Sequence, residues 1–236
     1  MRAPRMRVGV IGDQLDEDLP GQLRALGHEV SVSEGATLAD SEHFDLIVIE
    51  AGEQSLPDLV DDLVPTVRRG QIYLHTCLAH GVQILDPLET SGAVVIAAAR
   101  LGAQRWAVTT VDELGQTIAE LLIGELGGSV VEIRDNQRLQ LAASMTYLSS
   151  AAALRDDAHK LLDAAIGGIA DSAEIARSAQ GERRLPDIGG PAGLAAQWRS
   201  IQEPGRARAF RQALRRAAEI TQADDVELWA IQEEKL

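Results

Sequence analysis

The turn that follows the first apolar run of the chain carries residues whose types and spacing bear on phosphate binding. Residues 12–18 read Gly-Asp-Gln-Leu-Asp-Glu-Asp. A turn that binds a nucleotide phosphate has the spacing G-x-G-x-x-G, because bare backbone must approach the phosphate at a helix N-terminus. Only the first glycine, Gly12, is present, and Gln14 and Glu17 stand at the other two positions. The turn therefore lies where a phosphate-binding turn would lie, but it lacks two of the three glycines.

Negative charge is concentrated where that phosphate would lie. Asp16, Glu17 and Asp18 stand at the start of the next helical pattern, where carboxylates accept hydrogen bonds from free backbone N–H groups. A phosphate roughly 5 Å from one carboxylate, at an effective dielectric of about 20, is disfavoured by ~3 kcal/mol. We predict that this turn caps its own helix. The acids do not follow the spacing of a calcium loop, so we expect no metal there.

A second group of reactive side chains has the spacing H-x-C-x-x-H, formed by His75, Cys77 and His80. This spacing could bind a metal, or it could pair a cysteine nucleophile with a histidine base. No second cluster completes a zinc site, so no metal is expected. His75 ends an apolar run and should make a local hydrogen bond. His80 is the one candidate for a catalytic or ligand-binding histidine, and the alternative is that it orders its loop.

The elements that position these residues alternate in the first half of the chain. Short apolar runs bounded by turn residues predict strands, and amphipathic patterns between them predict helices. This alternation predicts the α/β class, with a mostly parallel sheet covered on both faces. The predicted strands are 7–11, 29–32, 46–50, 71–75, 93–97, 105–109 and 130–133, and the predicted helices are 19–26, 55–67 and 111–126.

The second half of the chain changes character near residue 136. It contains helical patterns and no convincing strand, so we predict two domains, 1–135 and an all-helical 136–236. Many alanines on these helices suit close packing or a dimer interface. The predicted helices are 137–165, 169–179, 194–201 and 205–222, with a loop over 181–193 and a helix or tail over 224–236.

Composition excludes several classes of partner. The chain has 236 residues and a net charge of −14, which argues against nucleic acid and anionic membranes as partners. Cys77 is the single cysteine, so no intramolecular disulfide can form and a reducing compartment is expected. No apolar stretch reaches the ~20 residues of a membrane span, and the first apolar run is too short for a signal peptide. We therefore expect a cytoplasmic protein.

Three landmarks along the chain together resemble one family. Residues 70–76, Gly-Gln-Ile-Tyr-Leu-His-Thr, are followed by Ala-His-Gly at 79–81 and Leu-Asp-Pro-Leu at 85–88. Leu-Gly-Gly stands at 126–128, and Gly-Gly-Pro at 189–191. The chain resembles the Rossmann-like proteins of the 6-phosphogluconate dehydrogenase-like superfamily that carry a helical C-terminal domain of unknown function. The resemblance implies an N-terminal Rossmann-like domain of dehydrogenase descent and a homodimer formed through the helical domain.

The resemblance also implies where a dinucleotide would lie if one binds. The implied cofactor-binding residues are Gly9, Gly12, Glu34, Gly52 and Thr76, and a carboxylate at Glu34 would favour NAD over NADP. A solvated turn acid is the alternative interpretation of Glu34.

The chain departs from the family pattern at several polar positions. Cys77-Leu78 replaces Ser-Gly, Ala97-Ala98-Ala99 replaces a His-Pro pair, and Leu194-Ala195-Ala196 replaces Arg-Gly-Asp. Leu141 and Ser149 stand where the family tends to carry His and Asn. These losses suggest a degenerate member.

Two hypotheses follow from these observations. The first is a protein with a degenerate dinucleotide-binding turn and no cofactor, or NAD if any, which acts as a non-catalytic or weakly binding regulatory or scaffold protein. The second is an NAD(P)-dependent oxidoreductase acting on an unknown small molecule, with His80 as a candidate proton donor. Glu50, at the end of the third strand, is either functional or simply exposed at the strand tip.

Overall fold

The computed structural model describes residues 5–16, 18–34, 41–166, 190–202 and 204–232. It divides into two compact units, Met1–Leu139 and Gln140–Leu236. The helix predicted at 169–179 and residues 181–189 of the predicted loop lie outside the described residues.

The first unit contains a seven-stranded sheet whose spatial order is β2-β1-β3-β4-β5-β6-β7. Neighbouring strands run parallel except β5 and β6, which are antiparallel. The predicted α/β class and mostly parallel sheet are confirmed. The strands are β1 Arg7–Gly12, β2 Glu29–Glu34, β3 Leu46–Ile49, β4 Ile72–His75, β5 Val94–Arg100, β6 Arg105–Thr110 and β7 Ser129–Glu132.

Helices of this unit connect the strands and cover the sheet. The central strands are buried along their length, as continuous apolar runs such as Leu46–Ile49 require when both faces are covered. Leu19 and Leu23 of the first helix pack in the same core as Val8 and Val10. The helices are α1 Asp18–Ala25, α2 Leu56–Leu63, α3 Asp86–Thr90 and α4 Glu113–Glu125.

The second unit is helical within its described residues. Its core is formed by apolar side chains around Phe210, and the ring of Tyr147 stacks on Phe210 with centroids 6.3 Å apart. The buried hydroxyl of Thr146 donates a hydrogen bond to the side-chain oxygen of Gln197 at 2.9 Å. The helices are α5 Asp135–Ile166, α6 Gly190–Ser200, α7 Pro204–Thr221 and α8 Asp224–Gln232, and the first residues of α5 belong to the first unit.

One boundary in this unit corrects the sequence analysis. Residues 190–193 were predicted as loop, but α6 begins at Gly190. The prediction was wrong because a segment rich in glycine and proline is typical of a loop, whereas proline is also favoured in the first turn of a helix, where Pro191 stands. The segment 224–236, predicted as a helix or a tail, forms α8 as far as Gln232.

Candidate functional site

The crevice between the carboxyl ends of β1 and β3 is the place where this fold would receive a ligand. From β1 the chain moves outward to β2 and then returns to the other side of β1 to form β3. Ligands of open parallel sheets bind at such a switch point, outside the carboxyl ends of the strands. Two segments meet there: the β1–α1 turn, residues 12–18, and the residues after β3, beginning with Glu50.

Gly12 allows these two segments to approach closely. Its φ of +146° is in the region that favours glycine, and a Cβ at this position would overlap the carbonyl oxygen of Glu50. The amide of Glu50 donates to the carbonyl oxygen of Ile11 at 2.7 Å, and the amide of Gln14 donates to the carbonyl oxygen of Glu50 at 3.0 Å. The glycine retained from the phosphate motif therefore accommodates the chain's own backbone.

Carboxylates of the chain bind the amides around the start of α1. The Glu50 side chain reaches across from β3, and its Oε2 accepts the amide hydrogen of Asp16 at 2.9 Å. Oδ1 of Asp16 in turn accepts from the amide of Asp18 at 2.9 Å. Oδ1 of Asp13 accepts from the amide of Gly52 at 3.0 Å. The carboxylates of Glu50 and Asp13 thus hold the two sides of the crevice together, and that of Asp16 caps the helix start.

The electrostatics of Glu50 differ from those of an exposed acid. The alternative that it is simply exposed at the strand tip is wrong, because its exposed fraction is only 2%. Burial raises the pKa of this carboxyl to about 7, and the nearby Asp16 carboxylate adds to the rise. The hydrogen bond from the Asp16 amide and the charge of Arg100 act in the opposite direction. Arg100 lies 3.4 Å from the Asp16 carboxylate.

The residues implied as cofactor-binding are not all at this crevice. Gly12 and Gly52 line it, and the amide of Thr76, after the end of β4, donates to the carbonyl oxygen of Ile49 on β3. Gly9 lies inside β1, opposite Ser31 and Ile47 in the sheet, and so away from the strand end. Glu34 ends β2 beside Gly12, and its side chain lies outside the described part of the chain.

The two histidines hold backbone groups in place. His75 is fully buried, and its Nε2 donates to the carbonyl oxygen of Gly81 at 3.0 Å, which is the local hydrogen bond that the sequence predicted. Burial, together with the charge of Arg138, lowers the pKa of His75 to about 3, so the ring stays neutral at physiological pH. Half-buried His80 places its Nε2 2.9 Å from the carbonyl oxygen of Glu53.

A buried arginine beside the β4 loop, residues 76–85, was missed by the sequence analysis. Arg138 of α5 has no exposed surface, and its guanidinium donates to four oxygens of the first unit. Burial lowers its pKa to about 10, and the carboxylate of Asp135 opposes this shift. Every fourth residue after Arg138, at 142, 146 and 150, is small and buried, so Arg138 continues the buried face of the helix. This spacing is the sequence signal that could have indicated its burial. The acceptors are the Thr109 hydroxyl and the carbonyls of Cys77, Ala97 and Ala107.

Asp135 binds the β4 loop from the first turn of the same helix. Its two carboxylate oxygens accept from the amides of Val82 at 3.0 Å and Gln83 at 3.2 Å. Within the described ranges, no group of three or more His, Cys, Asp or Glu side chains could hold a metal ion. No helix among the described residues combines the length and apolar character that a bilayer crossing requires.

Comparison with known families agrees with this architecture. Residues 28–99 match the model of the Rossmann-like domain, and residues 134–233 match that of the 6-phosphogluconate dehydrogenase C-terminal domain-like family. The chain belongs to the Rossmann-like proteins of the 6-phosphogluconate dehydrogenase-like superfamily. The Rossmann-like match begins after the β1–α1 turn. A search of curated proteins finds no match to the sequence.

Solved structures similar to this chain include dehydrogenases and reductases, two of which contain NAD+ or NADP. The prephenate dehydrogenase of A. aeolicus, in complex with hydroxyphenyl propionate and NAD+, is 12% identical, with a TM-score of 0.53 over 100% of this chain and 91% of its own. The pyrroline carboxylate reductase of Plasmodium falciparum, with NADP bound, is 12% identical, with a TM-score of 0.52 over 96% of both chains. The pyrroline-5-carboxylate reductase of Coxiella burnetii is 15% identical, with a TM-score of 0.51 over 92% of this chain and 99% of its own.

At these identities the likeness establishes a shared fold for this Rossmann-like protein. The fold places the carboxyl ends of β1 and β3 beside each other, which is the arrangement a dinucleotide needs. The side chains that occupy this crevice are specific to the sequence and have to be considered by themselves.

Proposed function

We propose that this Rossmann-like protein does not bind a dinucleotide in its crevice and serves as a non-catalytic binding, regulatory or scaffold protein. One observation carries the proposal: the chain's own carboxylates bind the amides of Asp16 and Asp18, at the helix start where a pyrophosphate would bind. A ligand phosphate would have to displace these carboxylates and lie close to their charges.

The energetic argument has two parts. A phosphate about 5 Å from a carboxylate is disfavoured by ~3 kcal/mol at an effective dielectric of about 20. Displacing the carboxylate of Glu50 would also break its hydrogen bond to the Asp16 amide, and hydrogen bonds to charged groups contribute roughly 1.5–3 kcal/mol. Together these terms are comparable with the whole binding free energy of a millimolar ligand, about 4 kcal/mol.

The two candidate histidines also support a non-catalytic role. A general acid or base works best with a pKa near the operating pH and with its proton free to reach the substrate. His75 is buried and has a pKa of about 3. The Nε2 of His80 lies within hydrogen-bonding distance of the Glu53 carbonyl oxygen.

A titration of the purified protein with NADH and NADPH tests this proposal. Intrinsic fluorescence or heat should show no saturable binding at submillimolar concentrations, while a working NAD(P)-dependent dehydrogenase measured in parallel gives the positive signal. Submillimolar affinity for either cofactor would overturn the proposal. The variant in which Gln14 and Glu17 are both replaced by glycine should gain affinity if the turn excludes the dinucleotide.

A second candidate function is an NAD(P)-dependent oxidoreductase acting on an unknown small molecule. It is favoured by the retained Gly12, and by related folds whose structures contain NAD+ or NADP. In this case Glu34 would favour NAD over NADP. The same titration distinguishes the two functions, because an oxidoreductase would bind NADH more tightly than NADPH, and His80→Ala would reduce turnover without reducing NADH affinity.

We also propose that the protein forms a homodimer through its helical domain. The family's helical domain and the alanine-rich helices support this assembly. Analytical ultracentrifugation across a hundredfold range of protein concentration tests it. A sedimentation coefficient that stays at the value of a 25.3 kDa monomer throughout would contradict it.

A further inference from the structure

Two kinds of carboxylate surround the start of α1, and they differ in burial. Asp13 and Asp18 are exposed, and the side chain of Asp16 keeps 39% of its surface exposed. The Glu50 side chain comes from β3 on the opposite side of the crevice and is almost completely buried. Water and salt screen the charges of exposed acids strongly and those of buried acids much less.

Local partners reduce the effect of Asp16 further. Its carboxylate lies 3.4 Å from the Arg100 guanidinium and accepts the amide hydrogen of Asp18. Glu50 has no comparably close cation among its described partners, and its Oε2 accepts a hydrogen bond from the amide of Asp16. Of the acids that the structure describes at this helix start, Glu50 combines the least screened charge with a direct hydrogen bond from a backbone amide.

We propose that the Glu50 side chain is an internal anion that takes the place of a ligand phosphate at the start of α1, and that it is the main residue excluding dinucleotides. The inference rests on the proposed function and deepens it by assigning exclusion to one residue outside the turn. It follows that the β1–α1 turn retains a backbone conformation that can receive a phosphate once Glu50 is removed. Gly12, which lets the turn approach Glu50, supports this arrangement.

The experiment compares four variants of the full-length chain with the wild type at pH 8 and low salt. Glu50→Ala removes the charge and the acceptor, and Glu50→Gln removes the charge but keeps an acceptor for the Asp16 amide. Asp18→Asn neutralises an exposed acid at the same helix start. Asp62→Ala removes an exposed acid of α2 and controls for net charge. The probes are NAD+ and inorganic pyrophosphate, followed by isothermal titration calorimetry.

Glu50→Ala should bind NAD+ with a Kd at or below ~1 mM, at least about tenfold tighter than the wild type, and should bind pyrophosphate with a similar gain. Glu50→Gln should gain less than Glu50→Ala but more than the two controls. Asp18→Asn and Asp62→Ala should change the affinity by less than about twofold, as expected for screened charges. This order supports the inference.

Other outcomes separate the failure of the inference from the failure of the proposed function. If the wild type already binds NAD+ below ~1 mM, the proposed function fails. If the wild type does not bind and Glu50→Ala gains no more than Asp62→Ala, the inference alone is overturned. It is also overturned if Asp18→Asn gains as much as Glu50→Ala, because exclusion would then belong to the turn. Should Glu50→Ala not fold, the same criteria apply to Glu50→Gln.

Discussion

In two loops at the carboxyl edge of the sheet, a carboxylate from a distant part of the chain binds backbone amides, but the electrostatics of the two carboxylates differ. In the β1–α1 turn, the amide of Asp16 is bound by the carboxylate of Glu50, which is 34 residues away in sequence. In the β4 loop, the amides of Val82 and Gln83 are bound by the carboxylate of Asp135, more than 50 residues away. In both, a distant acid satisfies backbone donors that local residues leave free.

The difference lies in the burial of each acid and in the charges that surround it. Asp135 is half-buried and interacts favourably with the guanidinium of Arg138, one helical turn later. Glu50 is buried and interacts unfavourably with the Asp16 carboxylate, so that its pKa rises to about 7. The β4 loop is therefore held by a carboxylate, Asp135, whose charge a nearby arginine balances. At the β1–α1 turn, by contrast, ionisation of Glu50 destabilises the folded protein. We expect variants to affect the two loops in different ways.

The largest effect should come from removing the cation beside the β4 loop. Arg138→Ala removes the guanidinium that donates to the Ala97 carbonyl at 2.7 Å and to the Thr109 hydroxyl at 2.9 Å. It also creates a cavity where a fully buried side chain was. We expect the free energy of unfolding to fall by ~4 kcal/mol, measured by urea denaturation.

Arg138→Met is the matched variant, because it keeps most of the side-chain volume and removes the hydrogen bonds. It should lose about half as much stability as Arg138→Ala. A loss below ~1 kcal/mol for Arg138→Ala would mean that the hydrogen bonds of this arginine do not stabilise the fold.

The next effect should come from the closest backbone approach in the β1–α1 turn. Gly12→Ala places a Cβ against the Glu50 carbonyl oxygen and forces alanine to a φ of +146°. We expect a destabilisation of ~3 kcal/mol or more. Gly70→Ala is the control, because Gly70 also has a positive φ, +78°, but a Cβ there meets nothing within 4 Å. It should cost about 1 kcal/mol, and equal losses for the two variants in thermal denaturation would refute the close approach.

Glu50→Gln should reveal the uncompensated charge through its pH dependence. The folded-state pKa of Glu50 is about 7, above its ordinary value of 4.5, so the folded protein holds this proton more tightly than the unfolded chain does. The wild type therefore loses stability as pH rises from 4.5 through 7, while the glutamine does not titrate. Among the residues with a described position, Asp16 and Arg100 are the charged groups that act on Glu50.

The variant should match the wild type near pH 4.5 and exceed it by about 2–3 kcal/mol at pH 8. Urea denaturation at a series of pH values measures the difference. Asp62→Asn, an exposed acid on α2, provides the control and should show a constant difference across the series. A Glu50→Gln difference that is also constant with pH would show that Glu50 has an ordinary pKa.

The elements of the fold follow closely from the sequence. Each predicted strand and helix within the described residues is present, because continuous apolar runs such as 46–49 and amphipathic helices are strong local signals. The turn from β5 to an antiparallel β6 was not predicted, since strand direction depends on tertiary pairing. Short helix α3 was also missed, because five residues carry too little periodicity.

The contacts of the candidate site could be predicted only in part. The sequence indicates acids at the start of α1, and Asp16 does bind an amide there. It does not indicate that Glu50 crosses from β3 to the same place, because a strand-end acid is ordinarily solvated. Arg138 and Asp135 are similar cases: their partners lie 29 to 61 residues away, and no local pattern connects them.

The smallest effect should come from Asp135, because its half-buried carboxylate can be replaced in part by water. Asp135→Ala leaves the amides of Val82 and Gln83 without their acceptor, which resembles the loss of a helix cap and should cost about 1 kcal/mol. Asp135→Asn keeps one oxygen acceptor and should cost about half of that. Asp61→Ala, an exposed acid on α2, is the control and should stay within ~0.5 kcal/mol of the wild type.

The decisive comparison is between the signs of the stability changes that neutralising Asp135 and neutralising Glu50 cause. Neutralising Asp135 should destabilise the protein at pH 8, whereas neutralising Glu50 should stabilise it at the same pH. This opposition follows first from burial, which penalises the charge of Glu50, and then from the neighbours: a carboxylate beside Glu50 and a guanidinium beside the half-buried Asp135. If both substitutions destabilise the protein in urea denaturation at pH 8, Glu50 is compensated by a partner as well, and the contrast between the two loops does not hold.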